Sequence, residues 1–193
     1  MSFKEVFHAS QLQGLATIQP NVSSHNRPWV YATKDLVIAA AFLSTTGGDF
    51  TCAVGRDETS GKIFICERFP GAFDLRYAGV KGSIYVLPGT SFVAGKTQWE
   101  EEVVSEGAVR PLREILIADA KEYLLGLVST GQLQLCYYPE KIAHVPTDDE
   151  DLVFRAAIWH AQFGEKILAQ VQQYHPALLA RVQQAIADKR YVA

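Results

Sequence analysis

Val6-Phe7-His8-Ala9-Ser10 sets a single histidine inside an apolar, strand-like run. Further along, Trp29-Val30-Tyr31-Ala32-Thr33 collects β-branched and aromatic residues and leads straight into a helix-like segment, Asp35 to Leu43. A third run, Trp99-Glu100-Glu101-Glu102-Val103-Val104-Ser105, puts carboxylates at the head of another apolar strand. Aromatic faces suit a flat heterocycle and add about 0.5–1.5 kcal/mol beyond burial. A carboxylate held in place lowers the barrier of a step that builds up positive charge, as in the oxocarbenium-like state of glycoside cleavage.

Alternation along a strand turns Glu100 and Glu102 to one face and Glu101 to the other. Each residue also has a purely structural role open to it. His8 suits a satisfied strand histidine, Tyr31 and Phe42 suit core aromatics, and the three glutamates suit a solvated edge. Arg27, in the polar loop His25-Asn26-Arg27, suits either a surface position or a pyrophosphate, whose oxygens match a guanidinium.

The elements that must position these groups are short. From residue 3 to about 138, apolar runs rich in Val, Ile, Phe and Tyr alternate with turn residues such as Gly47-Gly48, Ser60-Gly61, Pro70-Gly71 and Pro88-Gly89. Two helix-like runs interrupt them, Asp35 to Leu43 with Thr33 as its cap and Asp119 to Val128 ending at Gly131. The texture changes at Pro146. Thr147 to Asp151 form a cap followed by first-turn acids, and apolar residues from Val153 to Ile186 then recur at helical spacing. Gly164 and Pro176 divide this tail, with Pro176 in the first turn of its last helix. The fold expected is α+β, with a strand-rich core at 1–140 and a helical extension at 147–193 that must pack on the core or on another subunit.

Composition excludes several classes. The 193 residues are 48 % hydrophobic and 20 % charged, with a net charge of −3, which is not the basic footprint of a dedicated nucleic-acid binder. Cys52, Cys66 and Cys136 are odd in number and far apart, so no zinc site or disulfide framework is expected; buried free thiols are. His144, His160 and His175 lack metal spacing, and Trp159-His160 reads as helix packing. GxSxG, Walker A and GxGxxG motifs are absent. The first residues lack an apolar signal core, and Leu36 to Leu43 is too short to span a bilayer, so a cytoplasmic location is expected.

Phe7-His8-Ala9-Ser10, then Leu15…Ile18-x-Pro20, then Tyr31-Ala32-Thr33…Ala40-x-Phe42, resembles the N-terminal half of the His-Tyr-Glu branch of ADP-ribosyltransferases. Glu102-Val103-Val104-Ser105…Val109-Arg110-Pro111-Leu112 is similar to that family's third element, a glutamate opening a strand that continues toward Val-x-Pro. The resemblance covers residues 4 to 117 through short motifs. It implies a split, mixed or antiparallel sheet around an NAD cleft, with NAD as co-substrate. It implies transfer of ADP-ribose to a macromolecule, protein or nucleic acid, or hydrolysis of NAD, as in toxins.

By the same resemblance the catalytic carboxylate is Glu102, whose spacing to Val109 and Pro111 fits, or Glu101 after a one-residue shift. His8 would bond the adenosine ribose, and Ala9-Ser10 would take the place whose backbone holds the nicotinamide amide. Tyr31 and Phe42 would wall the nicotinamide, and Arg27 would meet the pyrophosphate. The tail would bind a target, a second copy or an inhibitor.

Two departures stand out. Ala9 replaces the family's usual glycine, and Leu36, Val37, Ile38 and Ala39 offer no counterpart to its early-helix hydroxyl. They leave open a non-catalytic binding module that has lost NAD chemistry. The related RNA 2′-phosphotransferases carry a basic Arg-His pair, whereas Phe7 precedes His8 here.

Overall fold

The computed structural model describes residues 3–23, 26–97, 99–143 and 145–190. His25 and His144 therefore lie outside the described residues. The chain is α+β, with two sheets and two compact units that interleave in sequence: residues 1–44 with 77–133, and residues 45–76 with 134–193. Among the described residues no helix is long and apolar enough to cross a membrane.

The first unit holds strands β1 (Glu5–Ser10), β2 (Asn21–Val22), β3 (Pro28–Thr33), β6 (Gly82–Pro88), β7 (Val93–Ala94), β8 (Glu102–Ser105) and β9 (Arg113–Ile117). They form one sheet in the order β7-β8-β3-β1-β6-β9, with β2 attached to β3. Among the described residues every pairing given for this sheet is antiparallel. Alternation sends Val6, Val30, Ala32, Tyr85, Leu87 and Val103 to one face, where they form a buried core with Ile18 and Val109. Ile18 and Val109 also exchange backbone hydrogen bonds of 2.8 and 3.0 Å, which brings the Leu15–Pro20 stretch against the segment after β8.

Helix α1 (Leu36–Ala41) packs on β1, β3 and β6 and also meets α3 (Ala120–Ser129). Its cap is Asp35 and not Thr33: the Asp35 carboxylate accepts from Val37 N at 2.8 Å, while the Thr33 hydroxyl donates to Asp35 O at 2.9 Å. Asp119 caps α3 in the same way, accepting from Glu122 N. Gly82 is compulsory on steric grounds, because a Cβ there would lie 2.4 Å from Ser10 O.

The second unit holds β4 (Cys52–Arg56) and β5 (Ile63–Glu67), joined by β10 (Leu133–Cys136) in a three-stranded sheet of order β10-β5-β4. It also holds α2 (Ala72–Tyr77), which periodicity did not reveal, and the tail helices α4 (Glu150–Phe163), α5 (Glu165–Tyr174) and α6 (Leu179–Ala187). Phe50 sits in the tail's apolar core with Leu152, Ala156, Val171 and Val182, so the partner of the amphipathic tail is the 45–76 segment of its own chain. Trp159 joins that core, edge-on to Phe50. Pro176 opens a short 3-10 turn leading into α6. The three cysteines are free and buried, and burial pushes the Cys52 and Cys66 thiols up to about 12, too high for a nucleophile at neutral pH.

Of the acids before α4, Asp148 accepts from Glu150 N at 3.2 Å, while the cap residue Asp149 does not bond the helix with its side chain. Asp149 lies in the left-handed region with no side-chain cap bond. Its carboxylate, with that of Asp151, instead holds Arg68, which is only 2 % exposed. Lys141 pairs with Asp149, and Arg155 with Asp49 and Asp151. Burial alone would raise the Asp151 carboxyl, but the hydrogen bond and charge of Arg68, backed by Arg155, hold it down at about 2. His175 closes the cluster by bonding Phe50 O at 2.6 Å.

A buried guanidinium stripped of its carboxylates, or the reverse, is strongly destabilising. Arg68→Met should lower unfolding stability by about 3 kcal/mol in urea titrations. Because the Asp151 carboxyl is held below its ordinary 3.8, its contribution is complete above that pH and is lost as pH falls toward about 2; in Arg68→Met this acid-dependent loss should shrink.

Candidate functional site

β1 runs beside β6 over its full length, from Glu5 opposite Pro88 to Ser10 opposite Ser83. With β3 its register is Phe7 opposite Thr33. Just past that pair the His8 side chain bridges the two strands: Nδ1 lies 2.7 Å from the Tyr31 carbonyl oxygen. A carbonyl only accepts, so Nδ1 carries the hydrogen, and Nε2 of the neutral ring is left as an acceptor. Burial lowers the imidazole pKa below 6.5, with the bond to Tyr31 acting the other way, so the ring is neutral at neutral pH.

A cleft of about 180 Å³ opens at this seam. His8, Ala9, Tyr31, Phe42 and Glu102 all line it, and Trp99 and Thr33 join them. The strands explain the grouping. Thr33 of β3 lies opposite Glu102 of β8, and Tyr31 shares their face, turned away from the Val30–Ala32–Val103 core. Phe42 arrives from the end of α1 and is 41 % exposed. In volume the cleft compares with an enclosed cavity of about 150 Å³ that accepts one benzene ring.

The carboxylate run is resolved by where the strand starts. Glu100 and Glu101 lie in a turn, closed by Glu102 N donating to Trp99 O at 3.1 Å, so strand alternation applies only from Glu102 onward. That turn folds Trp99 back against Phe42, with ring centroids 5.2 Å apart. Glu101 contributes its backbone, accepting from Lys34 N at 3.1 Å. Burial and then the Glu102 charge raise the Tyr31 phenol pKa, which places that carboxylate close by in electrostatic terms. The phenol donates to Arg27 O at 3.2 Å.

Ser10, Arg27 and Glu101 are not among the described residues lining the cleft. The Ser10 hydroxyl accepts from Leu12 N at 3.1 Å. Arg27 lies at a separate depression with Trp29, Lys96 and Glu106. Trp99 is a cleft residue that the sequence pattern does not single out; its place three residues before Glu102 is the signal for it.

The chain leaving β1 is pinned. Tyr85 Oη donates to Leu12 O at 2.8 Å and accepts from Leu15 N at 3.0 Å. Glu114 accepts from Gly14 N at 2.8 Å and from the Ser83 hydroxyl at 2.5 Å. These polar groups fix the exit from His8-Ala9-Ser10. Compared with models of known protein families, with curated proteins and with solved structures, the chain matches none.

The Gly14 and Ser83 bonds hold the Glu114 carboxyl below its ordinary range. Its grip on the loop is therefore full above that range and weakens as pH falls through the lowered value. Hydrogen exchange should show the Gly14 amide protected at neutral pH, with protection declining in acid; Glu114→Ala should remove the protection, and Glu114→Gln, which keeps an accepting oxygen, should remove its pH dependence.

Proposed function

We propose that the cleft binds the nicotinamide end of NAD, and that the protein transfers ADP-ribose from NAD to a macromolecular acceptor or to water. The observation that carries this is the convergence of His8, Tyr31, Phe42, Trp99 and Glu102, from three parts of the chain, on a cleft one ring in size.

In the step proposed, the bond between the ribose and the nicotinamide nitrogen breaks and its electron pair leaves with the nicotinamide. The positive charge that develops on the ribose is met by the Glu102 carboxylate, a preorganised anion requiring little rearrangement as the charge forms. The acceptor's O–H or N–H then bonds to that carbon and releases its proton to solvent. Neutral His8, with Nδ1 committed to Tyr31 O, offers Nε2 to a ribose hydroxyl. Tyr31, Phe42 and Trp99 wall the heterocycle. Most of the dinucleotide lies outside a cleft of this volume and runs past His8 along the seam.

Ala9 supports a second reading. Its methyl sits on the cleft wall where a glycine would allow closer backbone approach, as suits a binding module without turnover.

Nicotinamide release from labelled NAD, with and without cell extract, separates these. Glu102→Gln should slow release by about 100-fold or more, the usual cost of losing one preorganised electrostatic contact. Glu101→Gln should stay near the parent rate, and Ala9→Gly should tighten NAD binding. No release combined with no NAD-dependent thermal shift would leave the binding module, and release surviving Glu102→Gln would remove the carboxylate from its role.

A further inference from the structure

Beside the cleft, on the same sheet, lies a larger cavity of about 540 Å³ that the proposed chemistry does not use. It is bordered by Trp29 of β3, Ser91, Lys96, Ser105 of β8 and Glu106. An adjoining depression shares Trp29, Lys96 and Glu106 and adds Arg27. Its volume falls in the range of small-molecule sites, whereas the cleft itself falls below it.

The groups present fit one class of ligand. Trp29 is half-buried, and Tyr31 packs edge-on against it with centroids 6.1 Å apart, which steadies the indole as a platform. Lys96 and Arg27 are exposed cations on the same rim, two against the single carboxylate of Glu106, in a chain whose net charge is −3. The Glu106 carboxylate accepts and the Ser91 hydroxyl both donates and accepts, the complement of the amino and ring-nitrogen edge of a base. The Ser105 hydroxyl, donating to Ser91 Oγ at 3.1 Å, ties the two walls together.

A planar platform, two cations and an edge-reading carboxylate are the components of nucleotide recognition, with stacking and phosphate neutralisation as separate terms. We infer that this cavity is a nucleotide-binding site, distinct from the Glu102 cleft, in which a base stacks on Trp29 and its phosphate lies between Lys96 and Arg27. Trp29 stands two residues from Tyr31 on one strand face, roughly 7 Å along β3, so a nucleotide held there is next to the cleft without entering it.

Equilibrium dialysis of the intact protein with labelled nucleoside monophosphates tests this. Parallel arms carry the matching nucleosides, inorganic phosphate, a short single-stranded oligonucleotide and NAD. Expected is saturable binding of the monophosphate, weaker binding of nucleoside or phosphate alone, and a fall in affinity with rising salt. Lys96→Glu, at an exposed position that should leave folding intact, and Trp29→Leu should each weaken binding by about tenfold or more. Trp29→Phe should restore much of it, and Glu102→Gln should leave it unchanged.

Tighter binding of the oligonucleotide than of the monophosphate would identify a strand as the source of the nucleotide, and the reverse a free metabolite. Competition by NAD that survives Glu102→Gln would place the adenylate half of NAD here. Nucleotide binding abolished by Glu102→Gln but untouched by Lys96→Glu and Trp29→Leu would overturn the inference, as would no binding in any arm. None of these outcomes depends on nicotinamide release, so failure here and failure of the ADP-ribosyl reading are separately visible.

Discussion

The hydrogen bond from His8 Nδ1 to the Tyr31 carbonyl at 2.7 Å ties β1 to β3 just beyond their Phe7–Thr33 pairing, and it sets the geometry of the cleft at that seam. A strand carbonyl half-hidden from water must be satisfied, and here an imidazole supplies the hydrogen. The bond fixes the ring's tautomer and direction, and burial keeps the ring neutral. It also links the strand that carries the histidine to the strand that carries Tyr31, and through Thr33 opposite Glu102 to the carboxylate. Loss of this bond would free the His8 ring and leave β1 joined to β3 through the Phe7–Thr33 pairing, while the β3–β8 ladder would still hold Tyr31 beside Glu102.

The second unit rests on a different constraint. Arg68 is removed from water and can remain charged only because Asp149 and Asp151 meet it, with Arg155 and Lys141 balancing the carboxylates in turn. This network joins a residue just after β5 to the start of α4, while Phe50 enters the apolar core of the tail helices. Sequence-distant segments thus share one core, and the chain divides into units that its linear texture conceals.

That difference defines what the residues alone disclosed. Strand runs such as Ile63–Glu67 and Gly82–Pro88 were legible because β-branched residues between turn signals leave little alternative. The grouping of 45–76 with the tail was not, because tertiary burial of Phe50 and Arg68 has no local period. The acids at Asp149 and Asp151 read as helix-end charges by the dipole rule, and their larger task, pairing Arg68, was invisible without the fold. At the site, His8, Tyr31, Phe42 and Glu102 were legible as a group and do share one cleft. Glu101 and Arg27 were misplaced for local reasons: a turn, not a strand, holds Glu101, and the loop before β3 turns Arg27 toward Lys96 and Glu106.

The ¹⁵N spectrum of the His8 ring, recorded across pH and then with NAD added, reads the tautomer, the charge and the ligand contact together. With Nδ1 bonded to Tyr31 O and the ring buried, the expected result is a neutral ring at neutral pH with its proton on Nδ1, a titration below the ordinary histidine value, and an Nε2 resonance that moves as NAD saturates. A ring protonated on Nε2, or one that titrates normally and ignores NAD, would contradict it.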